Sequence, residues 1–426
     1  MNLVAAADLD WTKLVRPGER VLVGQAMAEP LTLTTSLVAQ RARIGEFEIS
    51  LGVTYSGSFP PEGTDGIRFG GYGAIGPAAV ALARAGRLDP LPWHYGALSA
   101  AFADGRLRAD VVLLQLSPSR RGGPYSLSLT NDYVAHAARH ARLVIAEVNP
   151  DAPWTYGAEL PDWLKPDVLV AAERSPLEVP VPALGEVHAQ IAAHAVGLIP
   201  DRACLQFGVG TIPDALLDGL KGHRGLGVHS GVMGDRIVDL IERGVVTNAH
   251  KGRDEGLTIT NVMIGTRRLC AHIDDNPAVR VVPATYTHAL DVLATIPNFI
   301  ALNSAIEVDL GGQVNAEVAD GVYVGAVGGQ VDFVRGAAAS PGGRSIIALP
   351  ATARRGSISR IVAQVSTVTT PRSDVDAIVT EYGVAELRGC SLTERAKRMI
   401  AIAAPEFREG LARSRRDDRQ REDPAS

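Results

Sequence analysis

The run "ADVVLLQLSP", from Ala109 to Pro118, restricts the fold more than any other stretch of the chain. Its apolar residues follow one another with neither the alternation of a half-exposed strand nor the three-to-four spacing of a surface helix. A strand of that kind is buried on both faces, as in a parallel sheet covered by helices on each side. "RVLVG" (Arg20 to Gly24) and "ARLVIAEVNP" (Ala141 to Pro150) repeat the pattern. Between them lie helix-like stretches, "EPLTLTTSLVAQRA" and "NDYVAHAARHA". Strand and helix in alternation predict an open α/β fold with mainly parallel sheets.

The pattern starts again in the second half. "HAQIAAHAVGLI" reads as a helix, and "ACLQFGVGTIPDALLDGL" as strand, glycine turn and helix. "SIIALP" and "AIVTEYG" read as further strands. The intervening "ERSPLEVPVPALGE" is rich in proline and has no period, which marks a boundary. A chain of 426 residues has room for two such domains. The expected division is 1–183 and 184–408, both α/β. Residues 409–426 are charged, lack an apolar face, and are expected to be a disordered tail.

Several partners are argued against. The net charge of −5, without a large basic patch, speaks against nucleic acid. No run approaches eighteen apolar residues, so no membrane span is expected. The start "MNLVAAADLDWTKLVRPGER" has no basic region leading into an apolar core, so no signal peptide is read there. Cys204, Cys270 and Cys390 are widely spaced, which suits buried thiols in a reducing compartment. No cluster of His, Asp or Glu has metal-ligand spacing, so no metal is expected.

Three glycine loops are candidates for ligand contact. "FGVGTIP" (Phe207 to Pro213) follows an apolar run and opens a helix. Backbone N–H groups at Gly208 and Gly210 would then face an anion or a developing oxyanion, unless the loop is only a tight turn. "GAVGGQVDFVRGA" carries Gly325, Gly328 and Gly329 just before Gln330. Its glycines allow a ligand close to the backbone, and Gln330 adds an amide donor; the plainer reading is a turn between strands. "GYGAIG" (Gly71 to Gly76) matches a dinucleotide fingerprint only weakly, because a poor strand precedes it and Pro77 follows.

Taken in order, "GQAMAEP", "VVLLQLSPSRRGGPYSLSL", "VIAEVNPDAPWTYG", "LQFGVGTIPDALL", "NSAIEVDLGGQVNAE", "GAVGGQVDFVRGA", "SIIALPATA" and "TEYGVAELRGCSLTERAKRMIAIAAPEFRE" resemble the acetyl-CoA hydrolase/transferase family, within the class I CoA-transferase superfamily. The resemblance covers most of the chain. It implies two facing α/β domains with the active site between them, acyl-CoA as the small-molecule substrate, coenzyme A as part of that substrate rather than a permanently bound cofactor, a cytoplasmic setting, and a homo-oligomer, commonly a dimer.

One segment departs from the pattern. Family transferases carry a nucleophilic glutamate in H-[ST]-E-M-x-x-D, which passes through an acyl anhydride to a glutamyl-CoA thioester. Here the segment reads His229, Ser230, Gly231, Val232, Met233, Gly234, Asp235. Glycine cannot form the anhydride. The first reading is therefore hydrolysis of a CoA-linked substrate, at a thioester or a C–C bond, as in superfamily hydrolases that lack the nucleophile. Transfer through another carboxylate and non-catalytic CoA-ester binding stand beside it. Glu29, after a strand and at a helix start, is the expected acid/base, with a helix-dipole role as the alternative. His229 is a second candidate base, or else a buried core histidine. Ser230 would donate to substrate. Asn303 and Ser304 are expected to line the cleft. Asp235 is expected to cap the helix after it.

Overall fold

The computed structural model describes residues 3–120 and 122–422. Seven strands form the first sheet: β1 (Arg20–Val23), β2 (Phe47–Leu51), β3 (Ile67–Gly71), β4 (Leu88–Pro90), β5 (Val111–Leu116), β6 (Leu143–Val148) and β7 (Val168–Ala171). Their order is β4-β3-β2-β1-β5-β6-β7 and every pairing is parallel. All six residues of β5 are buried, five of them apolar, with Gln115 satisfied by the Met27 carbonyl and Asn149.

The second sheet uses β8 (Cys204–Phe207), β9 (Gly227–Val228), β10 (Phe299–Ser304), β11 (Arg344–Ala348), β12 (Ala377–Thr380) and β13 (Gly383–Glu386). The order is β13-β12-β11-β10-β8-β9, parallel except for the hairpin β12–β13. Both sheets are therefore mainly parallel, as expected. No helix or strand occupies 172–185, the proline-rich connection.

Each order reverses once, between β1 and β5 and between β8 and β10. At such a switch point the loops leave in opposite directions and open a crevice outside the carboxyl ends of the strands. In this chain the two crevices face each other. The halves are joined across them by Tyr95 N–H to Gly328 O at 2.9 Å, Ala74 N–H to Gly325 O at 2.8 Å and Asn131 N–H to Asn261 O at 3.0 Å. One apolar core runs through both halves, from Leu22 and Val112 to Leu205 and Ile346.

Two local expectations change. "NDYVAHAARHA" forms only a short helix, Tyr133–Ala137, whose N-terminus the Asp132 carboxylate caps. The disorder expected over 409–426 is not what the structure shows through Glu422, because the helix Pro405–Glu422 continues there. Its composition is rich in arginine and glutamate, which favour helix without an apolar face, and Arg413 pairs with Glu409 one turn away. Residues 423–426 lie outside the described residues.

Candidate active site

Where the switch points face, a cavity of about 310 Å³ lies between the halves. Gln25, two residues after β1, enters it from one side, and Tyr72 and Tyr95 stand with it. Gly208, after β8, and Asn303 and Ser304, ending β10, enter from the other. The loop Gly325, Gly328, Gly329 and Gln330 forms a further wall, and so does Gly231. Gly210 lies one step outside, lining an adjoining cavity of about 280 Å³ at the start of the helix Thr211–Gly219.

The glycines serve close approach. A Cβ at Gly325 would sit 1.9 Å from the Ala316 carbonyl oxygen, which only glycine avoids. Gly73, inside the weak dinucleotide match, meets Ala326 of the opposite half in the same way, with an added Cβ 2.3 Å from its side chain. That glycine motif thus packs the two halves together.

Three expected site residues are placed away from this cavity. Glu29 is 2% exposed; its carboxyl accepts the Thr34 hydroxyl at 3.0 Å, and burial raises its pKa. His229 is fully buried, with Nε2 against the Thr287 carbonyl at 3.2 Å, and burial pushes its pKa down to about 3. Ser230 Oγ bonds back to the Phe207 backbone, accepting from N–H and donating to O, each at 3.3 Å. That hydroxyl ties strand ends together. Asp235 begins the helix Asp235–Glu242, but the cap position is Gly234; its carboxylate accepts instead from Thr266 N–H at 2.9 Å and Oγ1 at 2.8 Å.

Sequence reasoning missed the polar network behind the first wall. Gln25 Nε2 donates to Asp132 Oδ2 at 2.5 Å and to Tyr95 Oη at 3.1 Å. Its Oε1 accepts from Tyr72 Oη at 3.0 Å and Val53 N–H at 3.1 Å. Tyr95 Oη donates onward to Asn261 Oδ1 at 2.8 Å, across the halves. Gln25 is four residues before Glu29, in the same loop after β1. His288 was missed as well. It lines the cavity with its ring against Tyr95 and Phe333, at centroid distances of 4.9 and 4.4 Å.

Among the described residues that line this cavity there is no Asp or Glu. Asp132 stands behind Gln25, where burial raises its pKa. The adjoining cavity holds Asp214, whose pKa burial raises to about 6. No group of three or more metal-ligating side chains comes together among the described residues. None of their helices is long and apolar enough to cross a membrane.

Two doubly wound sheets, joined at facing switch points around glycine loops, define the CoA-transferase class of α/β enzymes. The chain belongs to the acetyl-CoA hydrolase/transferase family and is an acyl-CoA enzyme. The C-terminal domain of that family matches residues 265–415. The chain is 38% identical to a 4-hydroxybutyrate coenzyme A transferase of Clostridium kluyveri over 398 residues, 92% of each chain. The structure superposes on RipA from Yersinia pestis with a TM-score of 0.90, at 32% identity, over 98% of this chain and 97% of that one. An acetyl-CoA hydrolase of Eremothecium gossypii is 29% identical over 215 residues, 48% of this chain and 39% of its own.

Proposed function

We propose that this enzyme hydrolyses a CoA-linked substrate, in the first instance a thioester, in the cavity between its halves and without a glutamyl-CoA intermediate. The observation that carries the reading is Gly231. It lies on the cavity wall at the family's nucleophile position, and no described carboxylate lines that cavity to replace it. Covalent transfer needs such a carboxylate. Hydrolysis needs a water, a sink for its proton and donors for the oxyanion. The glycine loops and Gln330 supply donors. The thioester would lie along Gly328–Gly329–Gln330, with the pantetheine arm leaving past Gly208.

Transfer through Asp214 is the second reading, favoured by that carboxyl in the adjoining cavity. The test is incubation with a panel of acyl-CoA esters, followed by chromatography of the products and intact-protein mass spectrometry. Free acid and free CoA in equal amounts, without an acceptor and without a protein adduct, are expected. An adduct on Asp214 would establish transfer instead. Tight binding with no turnover across the panel would leave a CoA-ester binder.

A further inference from the structure

His288 ends the short helix Ala284–Thr287, and its imidazole is wedged between two glycines distant in sequence. A Cβ added at Gly231 would lie 3.0 Å from both Cε1 and Nε2 of this ring. A Cβ added at Gly329 would lie 2.6 Å from Nε2. The Nε2 edge is thus turned toward the two glycines that line the cavity, and the ring faces are held by Tyr95 and Phe333. Gly231 and His288 are one feature: a Cβ at 231 would press on the ring, which would have to give by a few tenths of an ångström.

The other ring nitrogen fixes the tautomer. Nδ1 lies 2.8 Å from Thr287 Oγ1. That hydroxyl has no other acceptor among the described residues, and we assign it as the donor to Nδ1 on that ground. The imidazole proton is then on Nε2. Among the described residues Nε2–H has no protein partner. Two aromatic rings and no carboxylate enclose the imidazole, so its charged form is disfavoured, and burial pushes its pKa down to about 3. It is a neutral donor and a poor base. A second donor shares the wall: Gln330 Nε2 is buried and has no hydrogen-bond partner among the described residues.

We propose that His288 Nε2–H, together with Gln330 Nε2–H, donates to the carbonyl oxygen of the bound thioester and to the oxyanion that forms from it. This rests on the hydrolytic reading of the same cavity. In the step, the water oxygen bonds to the carbonyl carbon and the C=O π pair moves onto oxygen, where the two donors hold it. The C=O bond then re-forms and the C–S bond breaks. CoA leaves as a thiolate and takes up the proton that the water gave up. The products are carboxylic acid and CoA thiol, with no change of redox state.

The test has two arms. His288→Phe keeps the ring volume and removes the donor, whereas His288→Gln restores an amide donor. The Phe variant should lose about a hundred- to a thousandfold in kcat, the range for one oxyanion donor, with KM changed by less than about threefold. The Gln variant should recover at least about tenfold over Phe, which a merely structural role would not give. The second arm reads the wild-type protein by ¹⁵N NMR at neutral pH. A neutral His288 protonated on Nε2 is expected, with its signals shifted by acyl-CoA more than by an S-alkyl CoA thioether that lacks the carbonyl. A proton on Nδ1, an imidazolium, or equal shifts with both ligands would overturn the assignment, including where a variant fails to fold. Wild-type turnover with a fully active Phe variant would overturn it too while leaving hydrolysis intact. The expected NMR result with no turnover of any ester would sink hydrolysis and leave His288 as a carbonyl donor in a binding site.

Discussion

Glu29 and Glu147 stand behind the switch point of the first sheet, while Gln330 and His288 stand in the cavity in front of it, and the two groups follow opposite rules. Glu147 accepts from Thr32 N–H at 2.8 Å, Leu33 N–H at 3.2 Å and Thr32 Oγ1 at 3.1 Å, and so caps the helix Leu31–Ile44 from a neighbouring strand. Glu29 is held by Thr34. These acceptors are satisfied within the chain, which is what a structural carboxylate looks like. In the cavity Gln330 Nε2 is buried with no hydrogen-bond partner among the described residues, and no hydrogen bond holds His288 Nε2 among them. A buried donor without a partner, as at Gln330, costs about 1–3 kcal/mol unless a ligand completes it. On the proposed reading, the contrast separates residues that hold the site from those that meet the substrate.

The largest expected effect comes from putting an acceptor into the cavity. Gly231→Glu forces a side chain into the space beside His288, where even a Cβ lies 3.0 Å from the ring. Hydrolysis should fall about a thousandfold, the upper range for displacing one donor. The double variant Gly231→Glu/His288→Ala gives the carboxylate room. If intact-mass analysis after acyl-CoA treatment finds a glutamyl adduct only in the double variant, the crowding at 231 is established. An equal adduct in the single variant would show that His288 does not compete for that space.

Next is the support behind the wall. Gln25→Ala leaves Asp132, Tyr72 Oη and Val53 N–H each short of a buried partner. The expected loss of stability is about 3 kcal/mol, from a few unsatisfied groups at about 1–3 kcal/mol each. Urea unfolding at one pH checks it. A loss below about 0.5 kcal/mol would show that the network is rearranged by water at little cost.

A smaller effect, readable in pH, comes from Glu147. Burial raises its pKa in the fold to about 7 from an ordinary 4.5. A carboxyl with a raised folded pKa binds more protons folded than unfolded between those values. Its contribution therefore declines as pH rises from about 4.5 through 7, and is absent from the acid side as a penalty. Wild type should lose about 1–2 kcal/mol between pH 5 and 8.5 from this group, discounted from the full shift at about 1.4 kcal/mol per unit. Glu147→Gln should flatten that slope. Thermal midpoints with parallel slopes for both proteins would count against a protonated Glu147.

The fold was legible because its signals are local. Mostly apolar runs such as Val111–Leu116 can satisfy burial on two faces in only a few ways, and "GVGTIP" names its own turn and helix start. The cavity glycines were legible for the same reason: close approach leaves a residue type behind. His288 was not, since a lone histidine in "TYTHAL" has no pattern, and its meaning depends on Gly231 and Gly329, which only the tertiary fold brings to it. Glu29 and His229 drew attention by residue type and loop position. Position after a strand does not say which way a side chain turns, and at this loop Gln25 faces the cavity while Glu29 faces the helix.

The smallest expected effect is therefore at the residue that looked most catalytic. Glu29→Gln keeps an oxygen for the Thr34 hydroxyl and removes a charge that burial already disfavours. A glutamine there is close to an isostere of the protonated acid. If Glu29 only supports the helix start, kcat should change by less than about threefold, since a working general acid or base is worth about a hundred- to ten-thousandfold. Stability should change by less than about 1 kcal/mol, as for one exchanged hydrogen bond. His229→Asn, which keeps a donor for the Thr287 carbonyl, serves as the companion: it too should leave kcat nearly unchanged, although it removes a fully buried ring and will lower the unfolding midpoint. The comparison breaks at one place only. A drop of about a hundredfold or more in kcat for Glu29→Gln, with the protein folded and binding acyl-CoA, would mean that this carboxyl reaches the reacting atoms in the substrate complex, and the division between holding and meeting residues would have to be redrawn around it.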